Sequence, residues 1–238
     1  MIDFFFGNYL MKFNNLDISY NYVENRKLAA VIVATKPSFW LPLVIKNALY
    51  KIKECNLYFF GSNESIFFIK NNLKLNFNFI EIKDIRKITD YNKLLLDEKF
   101  WKTFNEEYVL IFQPDCLILR DVIKSDFNFD YIGALCGNFN NDSYILNGGL
   151  SMRKRDVMIE ICENLNSEEK NGSIPEDIIF TQKTRLNNLY KFPTPDDCIN
   201  FSIESIGNID NVLGIHGTDK YYIHPNIKLN FVNYYLNS

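Results

Sequence analysis

Four short strand-like runs, three of them largely apolar, mark the first half of the chain, separated by stretches with helical spacing. Leu28–Ala34, LAAVIVA, is β-branched and apolar throughout, which suits a strand buried on both faces of a parallel sheet. Asn56–Gly61 and Tyr108–Phe112 are largely apolar as well, Phe77–Ile82 (FNFIEI) reads as a third strand, and Pro37 and Gly61–Ser62 close the first two runs. Helices are expected over Trp40–Lys53, Asn63–Leu73 and Tyr91–Phe104. This alternation is the grammar of a doubly wound, mostly parallel α/β sheet flanked by helices. Further on, Asp130–Leu135 reads as a fifth strand and Asn147–Arg153 as a turn leading into a short strand. Arg155–Leu165 reads as an amphipathic helix, Glu168–Ser173 as a polar loop, and Pro175–Lys183 as a helix opened by Pro, Glu and Asp. Past Asn187 the pattern is irregular, with several short strands. No internal repeat or Pro/Ser-rich linker divides the chain.

The 238 residues are enough to bury a sizeable core, and 47% hydrophobic with 23% charged is the balance of a globular protein. A disordered chain, a collagen-like repeat and a disulfide mini-scaffold are excluded. Formal net charge is −3, so no basic excess supports a nucleic-acid binder, and a phosphate-rich ligand must be held by a few placed groups or a metal. No apolar run reaches the ~18 residues of a membrane helix. Met1–Gly7 carries Asp3 and no basic segment, unlike a secretory signal. The five cysteines are widely spaced without a C-x-x-C pair, which predicts buried thiols in a reducing, cytoplasmic setting.

Ligands of open α/β sheets bind beyond the carboxyl ends of the strands. After the first strand come Thr35 and Lys36; after the fourth come Gln113, Pro114 and Asp115. Asp115 stands between two apolar runs, where a carboxylate either caps a turn or holds a cation. His216 lies between glycines in LGIHG and is either structural or a ligand; His224, in a Tyr-rich tail, reads as structural. Asn147–Gly148–Gly149 is either a tight turn or a backbone passing beneath a sugar or phosphate, with Arg153 then in reach of an anionic group. Glu176–Asp177 is either an acidic first turn or a source of a general base.

In order along the chain, IFQPDC, DYIGA, NGGLSMRKR, PEDIIF, FSIE and GIHG resemble the motifs of a family of small GT-A-type glycosyltransferases. The resemblance runs from about Leu28 to Gly217 and includes AVIVATKP and DYNKLLLDEKFW. It implies one GT-A-like domain over 1–238, with a nucleotide-sugar half at about 28–150 and an acceptor-side half at about 151–238. It further implies transfer of a sugar from a nucleotide sugar, a UDP-sugar being expected, to a hydroxyl of a glycan or other acceptor, with inversion and with Mn²⁺ or Mg²⁺. Gln113 replaces the first Asp of the family's Asp-x-Asp motif, leaving Asp115 as metal ligand and placing Gln113 near ribose or a metal-bound water. His216 matches the late metal-binding His, and Lys220 a diphosphate contact. Asp177 matches the base, with Glu176 second. Asn147, Gly148 and Gly149 would lie under the donor sugar, Thr35 and Lys36 near the base, and Tyr91 and Asn92 near the nucleoside. Two other readings stay open. One is a nucleotidyltransferase, although VATKPSFW lacks the glycines of its usual loop; the other is a glycan-binding protein without catalysis.

Overall fold

The computed structural model describes residues 4–140, 143–207, 209–218, 225–231 and 233. At its centre is a six-stranded sheet of order β3-β2-β1-β4-β7-β6. Strands β1 (Leu28–Val33), β2 (Asn56–Gly61), β3 (Asn78–Glu81) and β4 (Tyr108–Phe112) are mutually parallel. Every residue of β1, β2 and β4 is buried, because helices cover both faces. The edge strand β3 is only half-buried, as its Asn78 and Glu81 allow, and shorter than the expected Phe77–Ile82. Helices α2 (Trp40–Lys51) and α3 (Asn63–Leu73) return the chain between the first strands. Ser62 caps α3 by accepting from Ser65 N at 3.2 Å.

Two expectations are corrected here. The helix expected over 91–104 is two helices, α4 (Ile88–Leu95) and α5 (Glu98–Lys102). Asp97 separates them, capping α5 through Lys99 N at 3.0 Å. The second correction concerns Asn147–Gly149. These residues do not turn the chain into a short strand; they lie inside the twelve-residue β7 (Ser143–Lys154). Strand β7 runs antiparallel to β4 on one side and to β6 (Tyr131–Asn140) on the other. Gly133 pairs with Ser151 and Leu135 with Leu146, so Asn147–Leu150 bulge out opposite Ala134 alone. The bulge keeps its grip on β4, since Gln113 N donates to Gly149 O at 2.8 Å.

A second, three-stranded sheet lies beyond the carboxyl end of β4. It orders β5 (Leu117–Ile118), β9 (Gly214–Ile215) and β8 (Ser202–Ile203). Helices α6 (Arg155–Glu163), α7 (Glu176–Leu186) and α8 (Pro195–Phe201) fill the second half of the chain. A capping box between Thr194 and Asp197, with Pro195 in the first turn, starts α8. The first helix, α1 (Phe4–Met11), meets the last, α9 (Pro225–Phe231): the rings of Phe6 and Phe231 stand edge to face at 4.8 Å. No helix among the described residues is long and apolar enough to cross a membrane.

Candidate active site

The small sheet determines which residues meet. Strands β8 and β9 are parallel, with Ser202 beside Gly214 and Ile203 beside Ile215, so the residues that follow, Glu204 and His216, emerge side by side. Strand β5 pairs with β9 so that Leu117 faces Ile215, which brings the preceding Asp115–Cys116 back to His216. Thr218 fixes this approach by donating from both its N, at 3.1 Å, and its Oγ1, at 2.8 Å, to Asp115 O. The structure thus brings Asp115, Gln113 and His216, all singled out in the sequence, together with Glu204. His216 Nε2 lies 3.0 Å from Gln113 Oε1 and 3.5 Å from Asp115 Oδ1; Nδ1 lies 3.5 Å from Glu204 Oε1. Asp115, Cys116 and His216 offer ligand atoms within 4.8 Å of one another. The Cys116 thiol donates to Gly149 O at 3.2 Å.

Gly149 lies against the other face of this cluster. A Cβ at 149 would overlap the His216 ring, and one at 148 would overlap Glu176 Oε1 and Arg153. Both glycines are therefore required by the protein's own packing. Asn147 Oδ1 accepts from Gly149 N at 2.7 Å and holds the bulge in shape.

On the Gly148 side lies Asp177, on the first turn of α7. Its Oδ2 accepts from Gly148 N at 3.4 Å and its Oδ1 from Ile178 N at 2.8 Å. Burial, then the neighbouring Glu176 carboxylate, push Asp177 up to about 6; Arg153 opposes them. Glu176 itself is committed elsewhere. It takes both ends of the Arg153 guanidinium, at 2.6 and 3.0 Å, in a pair that is almost wholly buried. Aromatic rings of Trp101, Tyr131 and Phe180 surround Arg153 at 4.7–5.6 Å. Arg153 was expected to reach an anionic ligand; fully buried and paired, it braces the start of α7 instead.

Asn92 is corrected in the same way. Buried in α4, it donates to Gly172 O at 3.0 Å and accepts from Glu176 N at 3.4 Å, and so ties α4 to the start of α7. The Thr35 side chain accepts from Ile85 N at 3.1 Å, while Lys36 is exposed. Tyr91 and Gln113 line a cavity of about 260 Å³ with Val33, Ile85, Arg86 and Pro114. Burial and Glu176 hold the Tyr91 phenol well above its ordinary range. Lys220 and His224 lie outside the described residues. A larger cavity, about 580 Å³, opens around Arg26, Lys27 and Asp121, so size alone does not mark the site.

Sequence reasoning missed Glu204 and Cys136. Cys136 Sγ donates to Glu204 Oε2 at 3.1 Å, and burial and this carboxylate hold the thiol above its usual range. The only signal for Glu204 was its place in FSIE.

The sequence matches one family model, described as "Protein of unknown function (DUF5672)", over residues 74–216, and the chain belongs to that family. The match contains Asp115, Asp177, Glu204 and His216, and ends at His216. No curated protein matches the sequence. Among solved structures, the mannosyltransferase PcManGT from Pyrobaculum calidifontis, in complex with GDP-Man and Mn²⁺, is similar at 11% identity and a TM-score of 0.49, covering 92% of this chain and 67% of its own.

Proposed function

We propose that this DUF5672 member is an inverting, metal-assisted glycosyltransferase that moves a sugar from a nucleotide sugar to an acceptor hydroxyl. The observation that carries the reading is the pairing across the Gly148–Gly149 bulge. On one side, Asp115 and His216 converge just beyond the carboxyl end of β4; on the other stands a carboxylate pushed up to about 6.

The donor set fits a divalent cation. A carboxylate and an imidazole suit Mn²⁺ or Mg²⁺, and the Cys116 thiol, already donating to Gly149 O, is not needed. When bound, such an ion neutralises the charge that develops on a diphosphate leaving group. The chain's own residues do the rest. The cavity lined by Tyr91, Gln113 and Arg86 takes the nucleoside, with Thr35 and Lys36 near its base. The donor sugar lies over Asn147–Gly149. Asp177, ionised above about pH 6, accepts the proton of the attacking acceptor hydroxyl from the face opposite the leaving group, which inverts the anomeric carbon. Arg153, Glu176 and Asn92 hold the first turn of α7 so that Asp177 keeps its place. The acceptor class is a glycan or another hydroxyl compound, and the setting is the reducing cytoplasm that the cysteines favour.

The test is incubation with UDP- and GDP-sugars, with and without Mn²⁺, while products are followed by mass spectrometry. Metal-dependent release of nucleoside diphosphate with transfer to a hydroxyl supports the reading. Release of pyrophosphate from a nucleoside triphosphate and a sugar phosphate would replace it with a nucleotidyltransferase. Glycan binding unaffected by nucleotide or metal would replace it with a non-catalytic module.

A further inference from the structure

We propose that the cluster beyond β4 is also a Zn²⁺ site, in which the Cys116 thiolate joins Asp115 and His216, and that Zn²⁺ held there excludes the Mn²⁺ or Mg²⁺ of the proposed sugar transfer. The proposal rests on Asp115 and His216 forming a cation site; it adds a third ligand and a different metal. The three side chains offer an oxygen, a nitrogen and a sulfur within 4.8 Å of one another. Carboxylate, imidazole and thiolate are the groups that proteins use for Zn²⁺, and three protein ligands with a fourth position open is one of its usual arrangements. Mn²⁺ and Mg²⁺ gain little from sulfur, whereas a thiolate favours Zn²⁺.

The spacing is close to what the ion needs. Ligand atoms around a tetrahedral Zn²⁺ stand roughly 3.3–3.6 Å apart, given its bond lengths of about 2.0–2.3 Å. Asp115 Oδ1 and His216 Nε2 are already 3.5 Å apart. The sulfur, within 4.8 Å of a ligand atom on each, has about 1 Å to close. Cys116 and His216 are buried, while the Asp115 side chain is 23% exposed and opens the cluster to solvent.

Releasing the thiol proton strands no other group. Binding breaks the S–H bond, passes the proton to solvent and forms the S–Zn bond, with no change of oxidation state. The thiol gives up its hydrogen bond to Gly149 O, but that carbonyl still accepts from Gln113 N at 2.8 Å. Gln113 N also lies 3.2 Å from Cys116 Sγ, and a backbone donor at that position suits a thiolate. The turn that presents the sulfur is fixed by Cys116 N, which donates to Gln113 O at 3.0 Å.

Tight Zn²⁺ binding alone would not test this, because Zn²⁺ outbinds Mn²⁺ at most sites. Co²⁺ is the better probe, since a bound thiolate gives it a near-ultraviolet charge-transfer band. Titration of the metal-free, reduced chain with Co²⁺ is expected to raise that band, and Zn²⁺ to remove it. The band is expected to vanish in Cys116→Ser and to persist in Cys136→Ser, which removes the thiol bonded to Glu204. Zn²⁺ affinity, read by competition with a chromogenic chelator, is expected to fall on the order of 100-fold in Cys116→Ser, and Mn²⁺ affinity by less than about threefold. The Mn²⁺ reading, taken from the free-ion electron paramagnetic resonance signal, also shows that the variant has folded. In the wild type, Zn²⁺ is expected to return bound Mn²⁺ to that free-ion signal.

Co²⁺ binding without the band, or a band lost only in Cys136→Ser, would overturn the thiol ligand and leave the cation reading standing. Equal losses of Zn²⁺ and Mn²⁺ affinity in Cys116→Ser would overturn it too, because the sulfur would then be structural. Mn²⁺ that stays bound at saturating Zn²⁺ would put the two ions in different places and overturn the exclusion. A wild type that binds none of the three ions would overturn the cation reading, and this proposal with it.

Discussion

The imidazole of His216 lies so close to Gly149 that any side chain at 149 would occupy the same space. Gly149→Ala is therefore expected to displace the ring. We predict a destabilisation of about 1–3 kcal/mol, the usual cost of overpacking, together with loss of Mn²⁺ binding. Urea denaturation and a Mn²⁺ titration check the two effects separately. Intact Mn²⁺ affinity in the variant would mean that the ring is not part of a cation site.

Asp115→Ala and His216→Ala are expected to abolish the Mn²⁺-dependent part of donor-nucleotide binding. A ligand present at one hundred times its Kd stabilises the native state by about 2.7 kcal/mol, so the wild type's thermal shift with nucleotide and Mn²⁺ is easily read. Both variants should lose the metal-dependent increment. Retention of that increment in either one removes the corresponding residue from the proposed cation site.

Asp177 gives a pH prediction with a definite sign. Its folded-state value, about 6, is above the ordinary 3.8, so the folded protein favours the protonated acid. The associated stabilisation is fully present below about pH 4 and is lost as pH rises through about 6. Asp177→Asn escapes that loss. It is expected to be more stable than wild type above pH 6, by an amount that shrinks towards zero near pH 4, while losing turnover. Wild-type kcat should fall on the acidic side of about pH 6. A variant with full turnover ends the assignment of Asp177 as base.

The Arg153–Glu176 pair is buried among three aromatic rings, and removing one partner leaves the other charge without compensation. Glu176→Ala is expected to cost about 3–5 kcal/mol by denaturant unfolding. A loss under 1 kcal/mol would show that Arg153 finds another partner and does not brace α7.

The parallel part of the sheet was legible because strands covered on both faces are written as unbroken apolar runs, and β1, β2 and β4 lie where those runs do. The bulge in β7 was not, because two consecutive glycines read as a turn whether they reverse a chain or let side chains pack on a strand. The break between α4 and α5 had a signal, the capping pair Asp97–Glu98, outweighed by helical spacing on either side. Asp115 and His216 could be singled out by residue type and setting. Their juxtaposition depends on two-residue strands that are too short to show any periodicity. Arg153 was misplaced for a physical reason: a basic residue near a glycine turn looks like an anion ligand until its buried partner is seen. Glu204 shows the limit most plainly, since its relation to His216 is one of register between β8 and β9, which local sequence does not encode.

The three-stranded sheet also bears on the order in which the molecule is built. Gln113 and His216 are 103 residues apart in the chain, whereas the parallel strands close by shorter crossovers. Long loops close late and more slowly than short ones. The central sheet can therefore assemble while His216 is still far from Asp115, and the Asp115–His216 contact is expected to be among the last native contacts made during folding. Refolding followed by Mn²⁺ capture should lag behind recovery of secondary structure, so the protein acquires its shape before its proposed chemistry.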